Sequence, residues 1–392
     1  MFKILRFGRN LINAVQTPNT RDRNIDLHLD EAYGWLCRAQ DATKNGGVSS
    51  AFHLYRGWLT SYPETTGYII ETLLDYHHIR QEESIIIRVR KMADWLLEIQ
   101  FEDGAFPDMS LKKKMVFDTG QIIFGLIKIF EFTKDEKYLD SAVKAADWLL
   151  KTQDKDGAWR NGAYNDIPHT YYSRVAWSLL KVHQHASDDK YLRANRINVE
   201  WALSNQQDTG WFKNAAFTLK DGVTPFTHTI AYTLRGILES GIYLNKTKYI
   251  TSVVKAVDAL IEKIPDRGFI SGIYDKNWNG NPKFSCLTGS AQLAIILFIL
   301  AKELSDQKYY IKGTEINTYL MSRQNISGNN IYIRGGIAGS YPIWGNYIHF
   351  AYPNWAAKFF MDSLLKEKRL SQTGVFAEPA IRQDQNVTGT RE

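Results

Sequence analysis

Seven side chains in this sequence belong to residue types that could carry acid/base chemistry. They are Tyr62, Glu64, Asp118, His169, Tyr171, Tyr172 and His228. Carboxyl, imidazole and phenol groups donate and accept protons, so several of them in one cavity would suit general acid/base catalysis on a polyhydroxy substrate. Each group also has a structural explanation, because a carboxylate near a helix N-terminus complements the helix dipole and Asp118 could serve as an N-cap. Only convergence on one cavity would favour catalysis.

A second set of side chains could bind such a substrate. Aromatic rings suit a sugar-binding groove, and arginine pairs with carboxylate groups. The set comprises Trp58, Arg174, Tyr274, Trp278, Arg334, Trp344, His349 and Tyr352. Most of these residues lie in loops that contain glycine, where binding residues are commonly found.

Motifs of several other chemistries are absent from the sequence. We find no D-x-D-D run of the kind that protonates substrate in hopene-type cyclases, no G-x-x-x-x-G-K-[ST] phosphate loop, no G-x-S-x-G elbow and no H-E-x-x-H pair. Two cysteines, Cys37 and Cys286, lie too far apart in sequence to suggest a zinc cluster. We therefore expect neither a metal nor a cofactor.

The composition is that of an ordinary globular chain with a mild basic excess. Of 392 residues, 44% are hydrophobic and 23% are charged, and the net charge is +6. A positive charge favours an acidic partner, but the densest basic run, Lys112 to Lys114, is too short to suggest a nucleic-acid site. The low cysteine content is typical of a reducing compartment.

A repeat of 53 to 60 residues organises the chain. Each copy is an amphipathic helix that ends in a W-L-x-x-x-Q pattern, followed by an Asp/Gly turn and an aromatic residue. The copies begin at Trp35, Trp95, Trp148 and Trp201, with degenerate copies at Ala259 and Tyr319. This spacing leaves room for two helices and two loops, and such a period indicates a repeat architecture.

The second helix of each repeat is more apolar than the first. These helices are predicted at residues 66–75, 119–130, 171–182, 229–238, 288–300 and 354–365, with apolar residues at helical spacing. Small residues near their starts, such as Gly67 and Gly289, would let helices approach closely in a narrow ring. Six helical hairpins with the apolar helices inside describe an all-α (α/α)6 toroid. The mouth of this ring would be the end where the inner helices begin.

Two segments of the sequence resemble known protein families. The turn formed by Gln153, Gly157 and Trp159 resembles the repeat of terpenoid cyclases, and also the hairpins of six-hairpin glycosidases, polysaccharide lyases and epimerases. The segment Trp58 to Ile70, with Tyr62, Pro63 and Thr65, resembles the C-terminal domain of D-glucuronyl C5-epimerases and uncharacterised bacterial polysaccharide-biosynthesis proteins. The epimerase resemblance implies an active-site role for Tyr62. The carboxylate that precedes the tyrosine in that family is replaced here by Ser61.

The two ends of the chain are expected to lie outside the toroid. We assign residues 1–27 to a basic amphipathic extension, 28–369 to the toroid and 370–392 to a polar tail. The extension has no unbroken apolar core of the kind found in signal peptides. Packing on the domain is its favoured role, with contact to an anionic membrane as the alternative. Ala291 to Ala301 is apolar but short for a membrane span. These features indicate a cytoplasmic protein that could associate with a membrane surface.

Three functions remain open at this point. The first is removal of the C5 proton of a uronate in a glycan, by an epimerase or a lyase, with an acidic oligo- or polysaccharide as substrate. The second is a glycoside hydrolase that uses Glu64 and Asp118 as its carboxylate pair. The third is a toroid that binds glycan or protein without catalysis.

Overall fold

The computed structural model describes residues 2–15, 23–219, 223–265 and 267–376, and within them 13 α-helices account for most of the chain. Residues 377–392 of the predicted tail and parts of the predicted N-terminal extension lie outside the described residues. An N-terminal helix, α1 (Phe2–Val15), precedes six helical hairpins.

The first helix of each hairpin lies on the outside of the ring. These outer helices are α2 (Ile25–Asp41), α4 (Glu83–Ile99), α6 (Glu136–Thr152), α8 (Asp189–Ser204), α10 (Thr247–Ile261) and α12 (Gln307–Met321). In α6, for example, buried residues such as Tyr138, Ala142, Ala145 and Leu149 recur at helical spacing while the charged residues face outward. This pattern is typical of a helix with one face on a core.

The inner helices form a closed ring. They are α3 (Pro63–Arg80), α5 (Val116–Thr133), α7 (Ser173–Ala186), α9 (Thr227–Tyr243), α11 (Leu287–Leu304) and α13 (Asn354–Ser371). Each packs against the next, and α13 packs against α3. The predicted (α/α)6 toroid is therefore confirmed. The inner helices extend beyond the predicted ranges, except that residues 170–172 form a 3-10 turn before α7.

Glycine allows the inner helices to approach closely. A Cβ atom on Gly67 would lie 2.6 Å from the Cα of Ile122, and one on Gly289 would lie 2.6 Å from the backbone nitrogen of His228. Real Cβ atoms do not approach other heavy atoms this closely, so both positions require glycine.

Glutamine side chains join neighbouring hairpins. The Nε2 of Gln153 donates to the carbonyl of Gly157 in its own turn and to that of Ala194 on the next outer helix, both at 3.0 Å. Gln324 of the sixth hairpin donates to the carbonyl of His28 in the first and so closes the ring. The repeat thus has the structural role expected of it.

The loops at the mouth carry five short strands. They are β1 (Ala51–His53), β2 (Gly57–Trp58), β3 (Ser285–Cys286), β4 (Ser340–Tyr341) and β5 (Ala351–Pro353). Strand β1 pairs antiparallel with β2 and with β5, and β3 pairs antiparallel with β4. These pairings connect the last mouth loop to the first and fifth loops.

Helix α11 requires a correction of its predicted length. It runs over 18 residues, so by length and composition alone it could cross a membrane, and it is the one described helix that passes this test. The apolar run Ala291 to Ala301 underestimates the length of this helix, because residues on both sides of the run are also helical. As an inner helix of the ring, α11 is 83% buried over that window.

Candidate functional site

The start of α3 is held in place by the first mouth loop. Pro63 occupies the first position of the helix, and Tyr62 precedes it in extended conformation. The hydroxyl of Thr66 donates to the carbonyl of Tyr62 at 2.8 Å, and the Nδ2 of Asn354 on α13 donates to the hydroxyl of Thr65 at 2.9 Å. These bonds fix the direction in which Tyr62 and Glu64 enter the lumen.

Glu64 is a buried carboxyl group with an altered pKa. Loss of hydration raises its pKa to about 7, because burial disfavours the charged form. Hydroxyl groups of Tyr62 and Tyr68 and the positive charge of Arg174 oppose this rise by stabilising the carboxylate. A carboxyl group with a pKa near neutrality can act as an acid or a base at physiological pH.

Asp118 lies beside Glu64 in the lumen but has fewer partners. It is the third residue of α5, since the N-cap is Met115, so the prediction that Asp118 caps this helix is wrong. Burial and the negative charge of Glu64 raise its pKa well above the usual range. Within the described chain its Oδ2 atom has no hydrogen-bond partner. The pair therefore retains a proton near neutral pH.

Arg174 supplies a buried positive charge in the same lumen. Its Nε donates to the Oε1 of Gln121 at 2.6 Å, and its guanidinium lies between 5.1 and 5.6 Å from the ring centres of Phe124, Trp177, Tyr232 and Phe359. The Nη1 atom has no partner among the described residues. An arginine held by aromatic rings with a free N–H can bind a carboxylate or a hydroxyl group of a ligand.

His228 approaches the lumen from α9. Its Nδ1 lies 2.6 Å from the Nε2 of Gln292, and its ring packs against those of Tyr232 and Tyr347 at 4.3 and 5.2 Å. Burial, with a smaller effect from Arg174, lowers its pKa to about 3. The imidazole is therefore neutral at physiological pH, when it can hydrogen-bond to a ligand but carries no charge.

The lumen tyrosines are protonated. Burial raises the pKa of Tyr62, Tyr68 and Tyr347 well above the ordinary value of 10, and the negative charge of Glu64 contributes to each rise. A phenol that acts as a base needs a lowered pKa. These tyrosines are therefore hydrogen-bond donors in this arrangement.

The other predicted catalytic residues hold loops together. Both ring nitrogens of His169 face backbone carbonyls, that of Tyr164 at 2.8 Å and that of Ala216 at 3.0 Å. Tyr171 stacks on this imidazole at 4.5 Å. The hydroxyl of Tyr172 accepts a hydrogen bond from the backbone nitrogen of Tyr164 at 2.8 Å. The two tyrosines are buried, so all three residues pack the third mouth loop, and His169 has no nitrogen left for a substrate.

The structure brings only Arg174 of the predicted binding residues into the cluster around Glu64. Trp58 packs against Trp35 and Phe52, and Tyr352 is buried in β5 beside the same strand pair. These residues hold the first mouth loop.

The others lie further out. Tyr274 and Trp278 are buried. The hydroxyl of Tyr274 accepts a hydrogen bond from the backbone nitrogen of Ser271 in the fifth loop, and the Nε1 of Trp278 donates to the carbonyl of Thr209 in the fourth. Arg334 forms an ion pair with Glu31 on the outer helix α2. Trp344 is exposed, as is His349.

Several lumen residues were missed by sequence reasoning. Tyr68 follows Glu64 by four positions, Gln121 follows Asp118 by three and Tyr232 follows His228 by four. Residues at these spacings share a helix face. A search one helical turn beyond each candidate residue would have identified them. Gln292 on α11 has no such partner in the predicted set and became visible only through its contact with His228.

No group of three or more His, Cys, Asp or Glu side chains in the described ranges is arranged to hold a metal ion. The expectation that the protein uses no metal or cofactor stays a prediction.

The comparisons with known proteins agree on the toroid class. The family described as the squalene-hopene cyclase C-terminal domain matches residues 60–237, which is less than half of the chain. No curated protein matches the sequence.

Solved structures with the same fold include carbohydrate-active enzymes. An unsaturated glucuronyl hydrolase specific for heparin superimposes with a TM-score of 0.72 and 15% identity, over 90% of this chain and 99% of that one. The enzyme of that type from Bacillus sp. GL1 gives 0.71 and 15%, over 88% and 97%. Cellobiose 2-epimerase from Bacillus thermoamylovorans gives 0.69 and 11%, over 87% and 97%. At these identities the similarity establishes the fold of the whole chain.

Proposed function

We propose that the protein is a glycoside hydrolase that acts on an acidic glycan, with Asp118 as general acid and Glu64 as its ionised partner. The observation that carries this proposal is the pair of buried carboxyl groups from adjacent inner helices, both with raised pKa. Glycoside hydrolysis uses one protonated and one ionised carboxyl group on either side of the bond that breaks.

The assignment of roles follows from the partners of each group. Hydroxyl groups of Tyr62 and Tyr68 and the charge of Arg174 stabilise the ionised form of Glu64. No positively charged side chain lowers the pKa of Asp118, and the negative charge of Glu64 disfavours its ionisation. Asp118 is therefore suited to protonate the leaving oxygen. Glu64 is suited to activate water or to attack the sugar.

An acidic sugar is favoured by the charge of the lumen. Arg174 lies on the same side of the ring as Glu64, and its free Nη1 could bind a uronate carboxylate. Similar folds occur in glucuronyl hydrolases. This likeness supports the choice of uronate-containing oligosaccharides as the first substrates to test.

The experiment compares two kinds of leaving group. On a natural oligosaccharide, Asp118→Asn and Glu64→Gln should each lower kcat by about 10²–10⁴, the usual contribution of a general acid or base. On an aryl glycoside whose leaving group needs no proton, Asp118→Asn should recover most of its activity while Glu64→Gln should not. Glu83→Gln is the matched control, since Glu83 lies in the first turn of the outer helix α4. Full activity of both lumen variants would refute the proposal.

Proton removal from C5 of a uronate is the second candidate. It is favoured by the position of a base with a pKa near 7 beside a buried arginine, since such a base can remove a proton next to a carboxylate that the arginine neutralises. The tyrosines argue against a phenolate base here, because their pKa values are raised. Incorporation of deuterium at C5 from heavy water without new reducing ends would indicate an epimerase, and an ultraviolet-absorbing unsaturated product would indicate a lyase; either would favour proton removal over hydrolysis.

A further inference from the structure

The exposed apolar side chains of the described chain are concentrated on one end of the ring. Large hydrophobic side chains exposed on α1 or on the mouth loops are Ile12, Val15, Tyr55, Met109, Leu111, Tyr164, Leu219, Val223, Ile331, Tyr332, Tyr341 and Trp344. The opposite end exposes Phe132, Leu304 and Val375, and the outer helices expose Ile87 and Ile197. Single exposed hydrophobic residues are ordinary, whereas a group of them on one face indicates an interaction surface.

Part of this face is a continuous surface built on α1. Asn10 of α1 donates to the carbonyl of Leu54 at 2.8 Å, beside the turn between β1 and β2. It also accepts a hydrogen bond from Asn330 of the last mouth loop at 2.9 Å. Phe7 packs edge-on against Phe350 at 5.6 Å. Helix α1, the loop at residues 42–62 and the loop at residues 322–353 therefore form one surface, which we call the α1 face.

The α1 face is basic and contains no acidic residue in its own segments. Residues 2–15 carry three Lys or Arg residues, residues 42–62 carry two and residues 322–353 carry two, with no Asp or Glu in any of these segments. Arg6, Arg9 and Arg56 are exposed. The chain as a whole has 48 basic and 42 acidic residues, so this separation of charge is local. Glu31 of α2, which pairs with Arg334, is an acidic neighbour at its edge.

The type of apolar residue distinguishes two anionic partners. The exposed aromatic side chains of this face, Tyr55, Tyr332, Tyr341 and Trp344, suit a glycan and a membrane interface equally. Ile12, Val15 and Ile331, by contrast, are aliphatic and more than half exposed, and they offer no flat ring on which a sugar could stack. Aliphatic tips beside arginines are typical of helices that lie in the interface of an anionic bilayer. We propose that the α1 face docks on an anionic membrane surface, with Ile12 and Ile331 entering the interface and Arg9 and Arg56 contacting lipid phosphates.

This docking would place the mouth beside the bilayer. The loops of the α1 face immediately precede the inner helices α3 and α13, so the face lies at the end of the ring where Glu64 enters the lumen. The site would then receive glycans that are attached to lipids or held close to the membrane. The docking itself does not depend on which reaction the lumen carries out.

Co-sedimentation with vesicles tests the proposal. The full chain should bind vesicles of phosphatidylcholine mixed with phosphatidylglycerol and not vesicles of phosphatidylcholine alone, and salt should weaken the binding. Arg9→Ala should lower the partition coefficient about five-fold, the effect expected for one basic residue near an anionic surface. Ile12→Glu and Ile331→Glu should each lower it on the order of ten-fold, since they remove an apolar contact and add repulsion.

The controls separate docking from folding and from glycan binding. Ile87→Glu changes a side chain of similar exposure on the outer helix α4 and should bind vesicles like the unmodified protein. Ile331→Glu lies outside α1, so it tests the face without changing that helix. Activity on a soluble substrate should be unchanged in all these variants. Vesicle binding that survives both glutamate variants would overturn the proposal. So would the absence of any vesicle binding together with retention by immobilised polygalacturonate that Arg9→Ala and Ile331→Glu abolish, which would make the face a glycan site.

Discussion

Polar side chains differ in their hydrogen bonding between two regions of the molecule. One region is the set of joints, where a glutamine links each hairpin to the next, and the other is the lumen that the hairpins enclose. At the joints, Gln40, Gln100, Gln153 and Gln206 each donate two hydrogen bonds, one to a glycine carbonyl in their own turn and one to a carbonyl on the next outer helix. In the lumen, buried polar atoms of successive inner helices lack partners within the described residues: Asp118 Oδ2, Gln121 Nε2, Arg174 Nη1, Tyr232 OH and Gln292 Oε1.

This difference separates stability from function in the molecule. Buried polar groups are nearly always hydrogen-bonded, and those that are not commonly mark a functional site. The glutamines of the joints recur from hairpin to hairpin and have their hydrogen bonds made, although Asn195 and Asn198 of α8 each keep an unpartnered side-chain oxygen within the described residues. The lumen uses a different residue on each helix and leaves donors and acceptors free. Changes at the joints should therefore destabilise the fold. Changes in the lumen should alter activity and titration while leaving the fold equally or more stable.

The largest expected loss of stability is at a turn glycine. Gly104 has a φ of +99°, and a Cβ there would lie 2.2 Å from the carbonyl oxygen of Lys144 on the next outer helix. Gly104→Ala should lower the free energy of unfolding by about 4 kcal/mol, from the left-handed backbone together with forced separation of the two hairpins. Urea unfolding followed by circular dichroism measures this change.

Gly374→Ala provides the matched control. Gly374 also has a positive φ, of +67°, but nothing lies within 4 Å of the position of its Cβ. Its substitution should cost only the backbone strain, about 1 kcal/mol. Equal losses in the two variants would show that the turns do not hold the hairpins together.

The second prediction concerns the pH dependence of stability. Glu64 has a pKa raised from 4.5 to about 7 in the folded state, so the folded protein holds a proton that the unfolded chain releases above pH 4.5. The contribution of Glu64 to stability is therefore fully present below that pH and is lost as the pH rises through 7. The full loss is about 3 kcal/mol.

The measurement is the difference between Glu64→Gln and the unmodified protein. Glutamine keeps the shape of a protonated carboxyl group and does not titrate. The unmodified protein should lose stability relative to Glu64→Gln between pH 5 and pH 8, as followed by urea unfolding in each buffer. A constant difference across this range would mean that Glu64 is ionised throughout, as expected of a simple partner to the helix dipole.

The sequence revealed the toroid because periodicity determines it. The W-L-x-x-x-Q pattern recurs because the glutamine makes the same kind of hydrogen bonds between neighbouring hairpins. Small residues such as Gly67 recur because neighbouring inner helices are in close contact. The six hairpins, their order and the inner and outer layers all followed from these repeats. Exact helix ends did not, since the caps differ from hairpin to hairpin; α5, for example, begins at Val116 after a Met115 cap rather than at Thr119 after an Asp118 cap.

The candidate site was only partly accessible from the sequence. Tyr62, Glu64, Asp118, Arg174 and His228 were placed correctly near the starts of inner helices. The direction in which a loop side chain points could not be predicted, because loop residues have no periodicity that assigns them to one face. His169 was grouped with the acids although its nitrogens face backbone carbonyls.

The third prediction tests a joint without changing the backbone. Gln153→Ala removes two hydrogen bonds of 3.0 Å, to the carbonyls of Gly157 and Ala194, while the carbonyl of Gly157 keeps its bond of 2.8 Å from the Nδ2 of Asn198. The free energy of unfolding should fall by about 2 kcal/mol. Gln372→Ala, at the exposed end of α13, should change it by less than about 0.5 kcal/mol. If both changes were equally small, solvent would be replacing the glutamine, and the contrast between joints and lumen would weaken.

The last prediction is a favourable change in stability for a second lumen variant, Asp118→Asn. The carboxyl group of Asp118 is buried beside Glu64 with one oxygen unpartnered in the described chain, so its presence opposes folding whenever either group is ionised. An asparagine has the same shape and cannot be charged. Unfolding at pH 8 should therefore show a gain of up to about 1 kcal/mol, in a variant that has lost activity on oligosaccharides. A loss of stability would instead mean that Asp118 supports the start of α5, in which case the lumen and the joints would not differ in the way their hydrogen bonding indicates.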